Sequence, residues 1–245
     1  MKLTVIWCKT FLPQQDWMNS CYLLQSNDQT IIFDMWRGSL KALVESGIDP
    51  LGIQTVIISH THFDHVTDLF PFLHFRMCNK GLPLTVFLPE GCSERIREVF
   101  RLMHGGFDET DGILLCDYSV DAGILLGDGI QVHPFQVDHH PKIPCFWFAV
   151  SSQEKKFIYS GDTAVCDELV DNCRDADLIL VECNNHSTWS FPGHMNSRDI
   201  HELVSRSVPK QAVLTHVSPR NGEVNDEIIK GVPVRIAYNG LVVEF

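Results

Sequence analysis

Basic residues are scarce in this chain. Its 19 lysines and arginines face 31 aspartates and glutamates, for a formal net charge of −12. Local basic patches aside, a chain so balanced has no broad cationic surface to neutralise a long phosphate backbone, and strong general binding of nucleic acid is not expected. No uninterrupted apolar run approaches the length needed to cross a membrane. The opening Met1-Lys2-Leu3-Thr4-Val5-Ile6-Trp7 alternates and is too short for a signal-peptide core. The nine cysteines are scattered, odd in number and contain no C-x-x-C pair, which suits reduced thiols better than a disulfide framework. Repeats, low-complexity tracts and linkers are also missing. A soluble, cytoplasmic protein with no membrane partner is expected, built as one domain over residues 1–245.

Apolar runs of strand length are plentiful. Residues 3–7, 21–24 and 31–33 read as strands, with Asp34 closing the third and a helix expected over 38–46. Residues 9–19 read as a loop, a candidate rim for a cleft. Helices are expected over 68–77, with Pro71 in the first turn, and from a cap at Ser93 to about His104, where Gly105 and Gly106 end it. Further strands are expected over 84–88, 113–115, 130–137, 145–150, 157–159, 177–181 and 212–214, with a helix over 197–206 started at Asn196 or Ser197. The last two strands, 233–237 and 241–244, flank Tyr238-Asn239-Gly240, which reads as a hairpin turn.

The chemistry concentrates where the strand Val56-Ile57-Ile58 runs into Ser59-His60-Thr61-His62-Phe63-Asp64-His65. Three imidazoles and a carboxylate within six residues are the donor types that divalent zinc and its neighbours take, and such groups crowd one another unless a cation binds them. His60 and His62 lie two apart, so in extended chain both point the same way and can grip one ion. Asp64 and His65 lie past the turn and could grip a second. Further ligands must come from elsewhere, and Asp138-His139-His140, Ser160-Gly161-Asp162-Thr163 and Leu214-Thr215-His216 are the candidates. Four apolar strands end in such groups, at His60, Asp162, Glu182 and His216, which suggests a shared floor at the C-terminal ends of strands. His74, His104, His133 and His201 read as packing or surface groups, His186 as loop or cleft, and Phe146, Trp147 and Phe148 as core.

These residues resemble the metallo-β-lactamase superfamily, whose H-x-H-x-D-H signature stands here at 60–65. The later elements follow in the same order over most of the chain. Within the superfamily the resemblance is to the RNase Z and phosphodiesterase branch: Ser160-Gly161-Asp162-Thr163 looks like its bridging aspartate, Leu214-Thr215-His216-Val217-Ser218-Pro219-Arg220 like its L-T-H-F-S-x-R, and Gly193-His194-Met195-Asn196-Ser197 like its G-H-S-T element. The resemblance implies an α/β fold, an αββα sandwich, with two divalent metal ions per chain, zinc or alternatively manganese or iron. One ion would take His60, His62 and His140, the last chosen over His139 from the spacing of the following Ile143-Pro144-Cys145-Phe146. The other would take Asp64, His65 and His216, with Asp162 bridging. His194 would be a catalytic acid oriented by Glu182, and Asp64 would serve both metal and catalysis. Where the branch carries a glycine after the signature, this chain has Val66-Thr67-Asp68. Where it carries G-Y-R, this chain has Phe146-Trp147-Phe148, which implies a tighter or more apolar pocket. A basic, Gly/Pro-rich tRNA-gripping insertion is missing.

The expected activity is hydrolysis of a small-molecule or exposed phosphodiester. A bridging water whose pKa falls from about 15.7 toward 7 between two cations supplies hydroxide, and His194 protonates the leaving alkoxide. The alternatives are an RNase Z-type tRNA 3′ endonuclease, a lactone, ester or thioester hydrolase on the same ions, and a non-catalytic metal-binding protein. A homodimer is compatible with each.

Overall fold

The computed structural model of the chain describes residues 1–9, 20–106, 112–137, 139–184, 192–217 and 225–245. Residues 10–19 of the expected rim at 9–19, the candidate Asp138, His186 and the Ser218-Pro219-Arg220 part of the L-T-H motif lie outside the described residues.

The first half builds one sheet. Strands β1 (Lys2–Trp7), β2 (Cys21–Ser26) and β3 (Gln29–Phe33) form an antiparallel meander. Then β4 (Thr55–Ile57), β5 (Leu84–Pro89) and β6 (Ile113–Tyr118) add in parallel beside β3. Parallel neighbours need crossovers, which here contain the helices α1 (Ser39–Glu45), the short α2 (Phe63–Val66), α3 (Leu69–Cys78) and α4 (Cys92–His104). The cap of α4 differs from expectation. It starts one residue before Ser93, and the Asp117 carboxylate of β6 accepts the N–H groups of Gly91 and Ser93 at 2.9 and 2.8 Å.

The second half builds the other sheet. Strands β7 (Ile124–Leu125), β8 (Gln131–Val137), β9 (Cys145–Ser152) and β10 (Lys155–Tyr159) pair antiparallel. Beyond β10 the sheet turns parallel through β11 (Leu178–Glu182), β12 (Ala212–Thr215) and β14 (Val232–Ile236), with β13 (Glu227–Ile229) on its edge. Its helices are α5 (Asp167–Cys173), which the sequence reading missed, and α6 (Ser197–Ser207). The runs of Val, Ile, Leu and Phe are buried on both faces, as parallel strands covered on each side require. Leu3, Tyr22 and Phe33 of the first sheet pack against Phe148, Phe157 and Leu180 of the second. The outer face of the first sheet packs on α1, α3 and α4, that of the second on α5 and α6. The result is the expected αββα sandwich. Among the described residues no helix is long and apolar enough to cross a membrane.

One expectation fails. The last two strands are not a hairpin: β14 lies in the second sheet, while β15 (Val242–Glu244) pairs with β1 in the first. The Asn239-Gly240 reversal is real, with Gly240 at φ 86°, but its two sides bond to different sheets. Ala237 N–H donates to Leu214 O, and Gly240 N–H to Val5 O, each at 2.8 Å. A turn signal reports local geometry, whereas the partner on each side is decided by which apolar face needs cover.

Asn196 opens α6 with a full capping box: its side chain accepts the N–H groups of Arg198 and Asp199, and Asp199 accepts the N–H of Asn196. Because Asn196 is buried, Asn196→Ala should lower unfolding free energy by about 1–2 kcal/mol, read as a drop in the urea midpoint with unchanged slope.

Candidate metal and hydrolytic site

The expected floor exists, and it crosses the sandwich. The first sheet contributes the ends of β3 and β4; the second contributes the ends of β10, β11 and β12, three parallel neighbours whose registers are aligned. Asp34 follows β3, Ser59 to His65 follow β4, Asp162 follows β10, Glu182 ends β11 and His216 follows β12.

Asp34 organises the first side, although the sequence reading saw it only as a strand end. Fully buried and left-handed at φ 58°, its carboxylate accepts the Ser59 N–H at 2.7 Å, the Ser59 hydroxyl at 2.8 Å and His65 Nδ1–H at 2.8 Å. Tyr159 OH, from the opposite sheet, donates to the same oxygen as His65. Since the Ser59 hydroxyl gives its hydrogen to Asp34, its oxygen accepts from His60 Nδ1, 3.0 Å away. Both histidines are thereby held as tautomers whose Nε2 lone pair faces inward. The signal for Asp34 was available: Ile31-Ile32-Phe33-Asp34 is a fifth apolar strand ending in a carboxylate.

At one expected ligand position the structure brings a neighbouring residue into the group. His139, not His140, joins His60 and His62, with one donor atom from each lying within 4.8 Å of the others. His139 Nδ1–H donates to Gly193 O at 2.9 Å, which leaves Nε2 a lone pair aimed at His62 Nδ1, 3.3 Å away. His140 Nδ1 instead accepts the Lys142 N–H at 3.2 Å and closes a turn. Spacing to Ile143-Pro144-Cys145-Phe146 could not reveal this, because the choice is made by a carbonyl 54 residues downstream. Gly193 is required for that approach: at φ 77°, a Cβ there would lie 2.7 Å from His139 O and 3.0 Å from His139 Nδ1. Gly161 is required likewise, since its Cβ would meet Phe146 O at 2.7 Å.

Asp64, His65, Asp162 and His216 form a second group within the same limit. His65 Nε2 lies 3.4 Å from Asp162 Oδ2, and His216 Nε2 lies 3.6 Å from Asp64 Oδ2 and 3.7 Å from Asp162 Oδ2. His216 is itself left-handed at φ 54°, a conformation a histidine holds only when its surroundings impose it; here its N–H donates to Cys8 O at 2.9 Å. Glu182 and His194 also meet, with His194 Nδ1 2.9 Å from each Glu182 oxygen and Thr163 N–H donating to Oε1 at 2.7 Å. The His194 ring lies 4.6 Å from that of His139 and stacks 5.6 Å from that of His216.

These groups fit divalent cations. His60 Nε2, His65 Nε2 and both His216 nitrogens are buried without a hydrogen-bond partner, a costly arrangement for polar atoms. The carboxylate separations are too long for charge-assisted hydrogen bonds. Nitrogens at about 2.0–2.1 Å from a tetrahedral zinc lie about 3.3–3.4 Å apart, which matches His139 Nε2 and His62 Nδ1. Burial would raise the Asp162 carboxyl, but the charges of His216 and His65 hold it well below the usual range. Burial drives His60 well down. For His65 burial also acts downward, yet Asp162 and Asp34 outweigh it and raise the imidazole well above its ordinary value. A proton on His65 therefore competes with a cation for Nε2, so affinity falls with falling pH. Burial raises Glu182 well above the ordinary carboxylate value and lowers His194.

Phe146, Trp147 and Phe148 do not line an open pocket. All three are buried in β9, with Trp147 stacked 4.0 Å from Phe135. Phe63, between His62 and Asp64, is 85% exposed and puts bare aromatic surface beside the ligand groups.

With fold and site in view, comparison places the chain. Residues 30–217 match the beta-lactamase superfamily domain. The chain belongs to that superfamily. It is 26% identical to the probable metallo-hydrolase YhfI of Bacillus subtilis over 254 residues, 99% of this chain and 96% of that protein. The YhfI crystal structure, a metallo-beta-lactamase fold, superposes at a TM-score of 0.84 and 22% identity, covering 99% of this chain and 98% of that one. Human tRNase Z, short form, superposes at 0.79 and 22% identity, covering 100% and 99%. A diphosphatase of the PhnP family does so at 0.75 and 17%, covering 100% and 96%.

His139→Ala should remove close to one divalent ion per chain by elemental analysis after dialysis, whereas His140→Ala should leave the content unchanged. Equal loss in both, or loss in His140→Ala alone, would return the assignment to His140.

Proposed function

We propose that this metal-dependent hydrolase of the beta-lactamase superfamily cleaves a small or exposed phosphodiester, with His194 giving the departing alkoxide its proton. Two divalent ions of the zinc class, one held by His60, His62 and His139 and the other by Asp64, His65 and His216 with Asp162 between the sets, would supply Lewis acidity and bring the pKa of water toward neutrality. The chain's own residues do the rest. Asp34 and Ser59 fix the tautomers of His60 and His65, and the Gly193 carbonyl fixes that of His139. Glu182 binds His194 at Nδ1 and orients the imidazole that gives the leaving oxygen its proton.

The observation that carries this reading is the Glu182–His194 pair beside both ligand groups. Glu182 holds the His194 ring through Nδ1, and burial, which lowers the His194 imidazole, makes its protonated form a stronger acid. Alkoxide departure from phosphorus needs a proton badly, whereas a lactone or thioester hydrolase on the same ligands would need such an acid less. The likeness to tRNase Z and to a PhnP-family diphosphatase adds that this fold accommodates phosphoryl chemistry.

General-acid assistance is worth about 10²–10⁴-fold. His194→Ala should slow an alkyl phosphodiester by that order and bis-p-nitrophenyl phosphate, whose phenolate leaves unaided, far less. Glu182→Gln should show the same pattern more mildly, with metal content intact in both variants. Equal slowing of both substrates, or faster turnover of lactones than of any phosphodiester with zinc or manganese added, would favour an ester hydrolase.

Binding to precursor tRNA should be weak at low salt and vanish as salt rises, as the net charge of −12 dictates. Tight, salt-resistant binding with cleavage at the 3′ side would establish the tRNA endonuclease reading instead.

A further inference from the structure

The two sheets face each other across apolar side chains, and apolar attraction is non-directional. Two tyrosines add directional bonds, one lent by each sheet to the other. Tyr159 ends β10 of the second sheet and donates to the Asp34 oxygen that also accepts His65 Nδ1–H. Tyr22 lies on β2 of the first sheet and bonds Thr215 Oγ1, at the end of β12 of the second. The Thr215 hydroxyl gives its hydrogen to Cys8 O at 3.2 Å, so Tyr22 is the donor to Thr215. Both tyrosines are buried, and their rings meet at 5.2 Å with a tilt of 57°. Phe33 packs edge-on against the Tyr159 ring at 5.4 Å.

What the two bonds reach gives them their meaning. Tyr159 stands three residues before Asp162 and holds the His65 ring through Asp34. Tyr22 holds Thr215, the residue before His216. The Cys8 carbonyl that Thr215 bonds also accepts the His216 N–H at 2.9 Å, where the His216 backbone is left-handed. His65, Asp162 and His216 are three of the four members of the second ligand group. His65 comes from the first sheet, Asp162 and His216 from the second. A functional constellation must be held to within about 0.5 Å, so this group demands that the sheets be registered to that precision at this end.

We propose that Tyr22 and Tyr159 are positioning residues for the second divalent ion. By registering the two sheets at the site end of the sandwich, they set the affinity of the group formed by Asp64, His65, Asp162 and His216. The proposal rests on the ligand groups assigned above and extends them, since neither tyrosine belongs to either group.

The test reads metal affinity and not turnover. Chelator-stripped protein is titrated with Zn²⁺ against a competing chelator, in the wild type and in His139→Ala, which keeps the second group whole. Tyr159→Phe and Tyr22→Phe should each raise the second-group dissociation constant by about 10–100-fold, the typical cost of losing an outer partner of a ligand. Co²⁺ bound at that group should show an altered visible spectrum in both. Ser26→Ala is the reference for a structural effect alone. Its hydroxyl bonds Ser152 Oγ across the sheets at 3.3 Å, but Ser26 pairs with Gln29 at the start of β3, at the end opposite to Asp34. Ser26→Ala should lower the urea midpoint and leave the constants unchanged. An unchanged constant in either tyrosine variant that folds, with the wild type binding metal, would overturn the proposal alone. An equal rise in Ser26→Ala would trace the effect to lost stability and overturn it as well. A wild type that binds no ion would remove the ligand assignment itself, and the proposal with it.

Discussion

The Asp34 carboxylate is the interaction on which the rest of this structure depends. It sits at the seam of the sandwich and accepts from Ser59 and His65 of its own sheet and from Tyr159 of the opposite one. A fully buried carboxylate is tolerated only when its oxygens are satisfied, and here every bond that satisfies it also positions something. The Ser59 N–H turns the chain out of β4, the Ser59 hydroxyl steers His60, and His65 is held directly. Next to this network, Tyr22 and Thr215 share a hydrogen bond across the sheets, and Thr215 precedes His216. The two sides of the site are therefore registered through buried polar bonds as well as through the apolar core.

Much of this was legible in the sequence for a simple reason. Continuous apolar runs of four to six residues have few uses other than covered strands, and the groups at their ends must emerge together at one edge of the sheets. His60, His62, Asp64, His65, Asp162, Glu182, His194 and His216 are all found there. What escaped was set by contacts between distant segments. The grouping of His139, rather than His140, with His60 and His62 follows from a carbonyl beyond β11 that holds its ring. The terminal hairpin was misjudged because Asn239-Gly240 specifies a reversal and says nothing about which sheet receives each arm. Asp117, which caps α4 from another strand, and the Cys166 thiol, which accepts the Leu169 N–H to open α5, are caps that no local pattern announces.

The glycines add a constraint of a different kind. Gly161 and Gly193 have left-handed φ and a backbone oxygen where a Cβ would go, and each immediately precedes a site residue, Asp162 and His194. Side chains that must converge from five strand ends and two loops leave little room for their own backbone, and glycine is the residue that allows such approach. The crowding that suggests cations also explains why the surrounding chain is so particular.

The drawing of the ligands from both sheets has a thermodynamic consequence. His60 and His216 are 156 positions apart in the chain and are brought together only when both halves have formed, so an unfolded chain offers cations nothing comparable. Occupancy then acts on the folding equilibrium by mass action: a free ion concentration a hundred times its dissociation constant stabilises the native state by about 2.7 kcal/mol per site. The same ions that serve hydrolysis would join the two halves of the sandwich, and the temperature at which they separate would follow the metal supply of the surrounding solution.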